Sequence, residues 1–203
     1  WIRLLYCYPE RMTDELIETI KTEDKVLNYI DIPIQHCNKE ILRNMYRGGD
    51  EQSLRELFAK LRREIPGVVL RTTLITGFPG ETEEQFSELA EFVNDIKFER
   101  LGCFAYSAEE DTPAAEMPDQ VDEGERQHRA DIITSEQEIR MGEYYAGMVG
   151  NTYEVVCEGF DRYSDMYFGR SMHFAPEIDG MIYFTSAKDK GPLTIGDFVN
   201  VKI

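Results

Sequence analysis

Four short, almost continuously apolar or β-branched runs punctuate the first 106 residues, recurring about every 30 to 40 residues with helical patterns between them. The runs are Trp1 to Tyr6, Tyr29 to Ile34, Val68 to Thr76 and Arg100 to Tyr106. Strands with no polar face must be covered on both sides, which is the situation of parallel strands flanked by helices. The alternation therefore predicts four parallel strands in βα units.

Helical patterns lie between them at Thr13 to Thr22, Asn38 to Tyr46, Asp50 to Ile65 and Thr82 to Ile96. Thr13 precedes Leu16 and Ile20; Asp50 precedes Leu54, Leu57 and Leu61; Thr82 precedes Phe86, Leu89 and Val93. In each case a capping oxygen stands ahead of helical apolar spacing, so each helix has a start signal and one face to lay on a sheet.

After Tyr106 the pattern changes. Pro113 and Pro118 break regular structure between Asp111 and Gln120, and a polar helix is expected from Asp122 to Tyr145. From Gly150 the period becomes two, in Tyr153, Val155 and Cys157, in Met181 and Tyr183, and in Val199, Val201 and Ile203. Asp179-Gly180 and Gly196-Asp197 supply turns, so a small antiparallel β-barrel is expected. The expected division is an α/β domain at 1–146 and a β-module at 147–203. The chain opens on Trp1 already in strand pattern, and the reading is a piece of a longer protein.

Charge bears on partners. The formal net charge is -17, with 17 basic and 31 acidic residues before Gly147 and 5 and 8 from there on. Phosphate neutralisation by Lys and Arg dominates nucleic-acid affinity, so RNA is disfavoured and a basic protein partner favoured. No apolar run approaches the roughly 20 residues that span a bilayer, and no basic-then-apolar leader is present, so a soluble, cytoplasmic protein is expected. Cys7, Cys37, Cys103 and Cys157 lie far apart with no ligand-like spacing, so no metal ligand is assigned.

In βα folds the reactive surface is built at the C-terminal ends of the strands. Those ends carry Tyr8-Pro9, Gln35-His36, the turn Gly77-Phe78-Pro79-Gly80-Glu81-Thr82, and Ser107 followed by Glu109-Glu110. Gly77 and Gly80 permit either a tight strand-to-helix turn or close approach of a ligand. Gln35 and His36 offer donors and acceptors to a ribose, carboxylate or amide, or to a structural hydrogen bond. Arg71, inside an apolar strand, needs a carboxylate, either a structural acid such as Asp31 or that of a ligand.

Taken in order and spacing, WIRLLYCYP, YIDIPIQH, LRTTLITGFPGETEEQF and FAYSAEEDTPAAEMPDQV resemble the radical S-adenosylmethionine (SAM) methylthiotransferases over nearly the whole chain. Within that family, IPIQHC and YSAEEDTPAA resemble the branch that modifies an aspartate of a ribosomal protein more than the transfer-RNA adenosine branch, which usually has Leu-Pro-Val-Gln-Ser-Gly at the first of these places. YFGRS at Tyr167 to Ser171 and APEIDG at Ala175 to Gly180 look like that branch's terminal TRAM barrel.

The resemblance implies an open six-unit βα barrel, of which these strands would be the last four, with the TRAM module after it. It implies SAM as cofactor and 4Fe-4S clusters whose CxxxCxxC ligands lie outside this chain. The cluster would cleave SAM to a radical that removes hydrogen from an unactivated substrate carbon, after which a methylthio group is installed; the cofactors carry that chemistry and the protein positions them. Leu74 to Glu81 resembles the superfamily's GxIxGxxE motif, and Phe104 to Ser107 its last barrel strand. Carried over, Gln35, His36, Arg71, Thr73, Ile75, Gly77, Phe78 and Tyr106 would face SAM, with Phe78 and Tyr106 toward the adenine. Glu109, Glu110 and Arg170 would contact the small-subunit ribosomal protein, with the ribosome as a further partner and Tyr163, Tyr167, Phe168, His173 and Phe174 completing the docking element. Rival readings are the transfer-RNA branch, a βα-barrel lyase or isomerase whose GFPGET turn grips phosphate, and a noncatalytic binding module.

Overall fold

The computed structural model describes residues 1–186 and 191–203. They divide into two compact units, Trp1–Gly142 and Glu143–Ile203.

The first unit is a four-stranded parallel sheet in the order β1-β2-β3-β4, with β1 at Ile2–Leu4, β2 at Val26–Asp31, β3 at Val69–Thr76 and β4 at Arg100–Ala105. Helices α1 (Asp14–Thr22), α2 (Lys39–Asn44), α3 (Glu51–Glu64) and α4 (Glu83–Ile96) fill the connections, so the expected βα order holds. The caps form as their chemistry suggests. Thr13 accepts from the Leu16 N–H, and reciprocal capping boxes join Asp50 to Ser53 and Thr82 to Gln85.

The second strand lies three residues earlier than its apolar run suggests. Pro33 has no N–H to continue the ladder, which ends regular pairing. The chain nonetheless stays beside β3, because Ile32 N–H donates to Arg71 O at 2.8 Å and Gln35 N–H donates to Thr73 O at 2.9 Å. Gln35 then takes a left-handed conformation, φ 68°, and turns away. That extension carries the Gln35-His36 pair to the sheet's C-terminal edge.

One face of the sheet is sealed by Ile30, Ile32, Ile34, Leu70 and Leu74 against Phe58, Leu61, Leu89, Phe92 and Phe98, all buried. Phe58 and Phe98 meet edge to face at 4.9 Å. Each such side chain withdrawn from water contributes about 1.5–3 kcal/mol.

Helix α5 (Glu123–Met148) follows a 3-10 turn at Pro113–Glu116. The second unit is a four-stranded antiparallel sheet in the order β7-β6-β5-β8, with β5 at Thr152–Asp161, β6 at Met166–Ser171, β7 at Ile182–Phe184 and β8 at Phe198–Lys202. Val155, Cys157, Phe174, Ile182, Phe184 and Val201 form its core. A bulge between Cys157 and Gly159 bends β5, and the Phe168 ring lies over Gly159, where there is no side chain to obstruct it.

Candidate functional site

Strand β3 organises the site. Leu70, Thr72, Leu74 and Thr76 are buried on the helix side, so Arg71, Thr73 and Ile75 alternate onto the opposite, half-buried face. Parallel register adds β4 partners row by row: Arg71 beside Arg100, Thr73 beside Gly102, and Ile75 beside Phe104. Asp31 of β2 extends the first row.

That first row is charged. Arg71 Nη1 lies 3.4 Å from Asp31 Oδ1, and the fully buried Asp31 also accepts the Tyr6 N–H through Oδ2 at 3.1 Å. The carboxylate that Arg71 requires is thus Asp31, within the same sheet. Toward the C-terminal edge the face becomes apolar and aromatic, with Ile75, Phe104 and Tyr106; Phe104 is 62% exposed.

The Gly77–Glu81 turn closes largely on itself. Gly77 (φ 70°) and Gly80 (φ 84°) occupy left-handed backbone that favours glycine. The Gly77 N–H donates to both carboxylate oxygens of Glu81 at 3.0 Å, and Gly80 N–H donates to Asp119 O at 2.9 Å. Glu81 is itself buried and meets Arg129 Nη1 at 2.8 Å and His36 Nε2 at 3.4 Å. Burial pushes the Glu81 carboxyl up, but the hydrogen bonds of His36, Arg129 and Gly77 outweigh it and hold it below the usual range. His36 Nδ1 accepts the Asn38 N–H at 2.9 Å, which leaves the proton on Nε2, facing Glu81.

The close approach that Gly77 permits is made by protein. A Cβ there would stand 2.9 Å from the Arg126 Cα, with the Arg126 stem nearer still. The Arg126 guanidinium lies over the Tyr106 ring, 5.1 Å from its centroid, and Nη1 donates to Tyr106 O at 3.2 Å. Phe78 meets the same ring edge to face at 5.3 Å. The Tyr106 hydroxyl is buried with no hydrogen-bond partner among the described residues, a condition costing about 1–3 kcal/mol unless a partner arrives.

Of the residues expected at the cofactor, Thr73 and Ile75 share the face away from the helices, Phe78 and Tyr106 meet each other at the C-terminal end, and Gln35 pairs with Leu74 where the chain leaves the sheet. Gly77 is covered by Arg126, and Arg71 and His36 are committed to Asp31 and Glu81. Glu109 and Glu110 are exposed beyond β4. Arg170 lies in the second unit, its Nε and Nη2 donating to the two Glu158 carboxylate oxygens at 2.8 and 2.5 Å. Around it Phe174 is buried, Tyr163 is fully exposed at the β5–β6 turn, and His173 Nδ1 is 2.8 Å from the Tyr144 hydroxyl. Arg126 and Arg129 escape sequence reading because the contacts that bring them to the turn, Thr76 to Arg126 and Arg129 to Glu81, span 50 and 48 residues of chain. Their i, i+3 spacing says only that they share a helix face.

No group of three or more His, Cys, Asp or Glu side chains that could hold a metal occurs among the described residues. Burial pushes the Cys37 thiol up and the Cys103 thiol to about 12. The cysteines of this chain do not fit the ligand set of an iron-sulfur cluster, which needs converging thiolates. The aromatic and polar strand-end face, with its unpartnered tyrosine hydroxyl, does fit an adenosyl group.

The parallel βα sheet is shared with enzymes of the radical SAM superfamily. Residues 1–93 match that superfamily's family model, and residues 149–203 match the TRAM domain. Coproporphyrinogen III oxidase (HemN) from Escherichia coli, a radical SAM enzyme, superposes with a TM-score of 0.53 at 20% identity, over 69% of this chain and 32% of its own, a likeness of fold. Proteins named ribosomal protein uS12 methylthiotransferase RimO, from Clostridium botulinum (strain Hall), Desulforamulus reducens and Trichlorobacter lovleyi, are 49%, 50% and 48% identical over 100% of this chain. The chain spans 44% to 45% of their length. It belongs to the radical SAM methylthiotransferases of the RimO type, corresponding to part of the radical SAM domain and the TRAM domain. Among the described residues no helix is long and apolar enough to cross a membrane.

Proposed function

We propose that the protein containing this chain adds a methylthio group to the β-carbon of an aspartate in ribosomal protein uS12, in the cytoplasm. The observation that carries this reading is identity of 48% to 50% along every residue of the chain to relatives bearing that name. Bound SAM and its cluster would supply one-electron chemistry able to take hydrogen from an unactivated carbon, and the cluster's ligands come from outside this chain.

The chain's own part is placement. Thr73, Ile75 and Phe104 floor the cofactor face, Phe78 and Tyr106 wall its aromatic end, and the Tyr106 hydroxyl donates to the cofactor. Gln35 stands at the rim with its amide available to the ribose or the carboxylate. The net charge of -17 favours a basic protein target over a phosphate backbone. Glu109 and Glu110, exposed beside the strand ends, receive basic residues around the target aspartate, and Arg170 with the TRAM unit provides a second contact.

Anaerobic reconstitution of the complete gene product with iron, sulfide and SAM, offered uS12 and transfer RNA in parallel, tests this by mass spectrometry. A methylthio adduct on an aspartate is expected. An adduct on adenosine would move the protein to the transfer-RNA branch, and none on either would overturn the assignment.

A further inference from the structure

The first turns of α5 lie beyond residues 1–93, which match the radical SAM model, yet they grip the Gly77–Glu81 turn through Arg126 and Arg129. Arg129, almost fully buried, donates from Nη1 to the Glu81 carboxylate at 2.8 Å and to the Glu81 carbonyl at 3.2 Å. Its remaining nitrogens reach Glu83 at 3.3 Å and Glu125 at 2.7 Å. Thr76 donates to the Arg126 carbonyl at 3.2 Å, and the Arg126 stem fills the space above Gly77.

The geometry points to Arg129 as a positioning residue for the SAM site. It fixes Glu81, Glu81 fixes the Gly77 N–H, and the turn so held sets Phe78 against Tyr106. This rests on the reading that the strand-end face of the first unit receives SAM. Two left-handed glycines give the turn little stiffness of its own, so its shape depends on the groups that grip it. His36 grips the same carboxylate at a longer distance, leaving Arg129 as the short, charge-assisted contact. The guanidinium fork serves three carboxylates and a carbonyl at once, which a lysine ammonium on a single flexible stem does not reproduce.

The test uses the complete, cluster-reconstituted gene product and SAM itself, measuring SAM affinity by equilibrium dialysis beside thermal unfolding and amide exchange of residues 76–82. Arg129→Met is expected to weaken SAM binding about 10-fold or more, as loss of a charge-assisted contact implies, and to speed exchange at Gly77. Arg129→Lys is expected to fall between, weakened about 3-fold, which is about 0.65 kcal/mol at 1.4 kcal/mol per tenfold. A purely structural role would lower the unfolding temperature while leaving affinity within twofold of wild type in folded protein, and that result overturns the inference. Should Arg129→Met fail to fold, wild-type SAM affinity in Arg129→Lys overturns it equally. If the wild-type protein binds no SAM, the cofactor-face reading itself fails.

Discussion

Two arginine pairs of the parallel unit and one of the antiparallel unit are built differently. In the parallel unit, Arg71 and Arg129 lie against the fully buried carboxylates of Asp31 and Glu81, and each joins segments distant in sequence. In the antiparallel unit, Arg170 stands opposite Val156 and pairs with Glu158, the bulge residue of the neighbouring hairpin strand, both partly exposed. Carboxylates sealed from water by βα connections need cations as partners, so their loss is severe and their geometry can hold a site. A hairpin pair whose carboxylate keeps contact with water contributes less, and there the core and the glycine bulge fix the shape.

The sharpest way to break this contrast is to remove one cation from each unit. Arg129→Met leaves Glu81 buried without its cation and should destabilise the first unit by about 3–5 kcal/mol, whereas Arg170→Met should cost the second about 1 kcal/mol. Urea unfolding followed separately in each unit would read both, and equal losses would refute the contrast. Next come the glycines. Gly77→Ala combines left-handed backbone with a clash against the Arg126 stem and backbone, and should cost about 3 kcal/mol. Gly169→Ala drives a Cβ into the Val156 carbonyl of the adjacent strand and should cost a similar amount, confined to the second unit's transition.

Acid supplies a smaller effect with a definite sign. Glu81 is held below its ordinary value of 4.5, so its contribution is fully present above that pH and is lost as pH falls through the lower folded value. Unfolding of the first unit followed below pH 4.5 should show this loss, and Glu81→Gln should flatten it. The smallest structural effect belongs to Glu109 and Glu110. Replacing both with Gln should leave stability within about 0.5 kcal/mol while weakening uS12 binding and its dependence on salt; unchanged binding would remove them from the docking surface.

The βα order and the caps were legible because apolar period and capping oxygens are local signals. Strand β2 slipped because Pro33 interrupts a ladder that the hydrophobic run does not register. At the site, GFPGE announced a turn with unusual backbone, but not what lies against it. Gly77 reads the same whether a ligand or Arg126 fills the space, and His36 reads the same whether it faces a cavity or Glu81. Arg126 and Arg129 sit in a polar helix that looks solvated, and only the tertiary fold brings them to the turn. The face formed by Thr73, Ile75 and Phe104 follows from parallel register, which no single strand discloses.

The most direct test of a cofactor face in the first unit is hydrogen exchange of the complete, cluster-reconstituted gene product with and without SAM. SAM should protect residues 73–78 and 104–106 and leave 149–203 unchanged. Protection concentrated in 149–203, or absent from the strand ends despite bound SAM, would contradict the account.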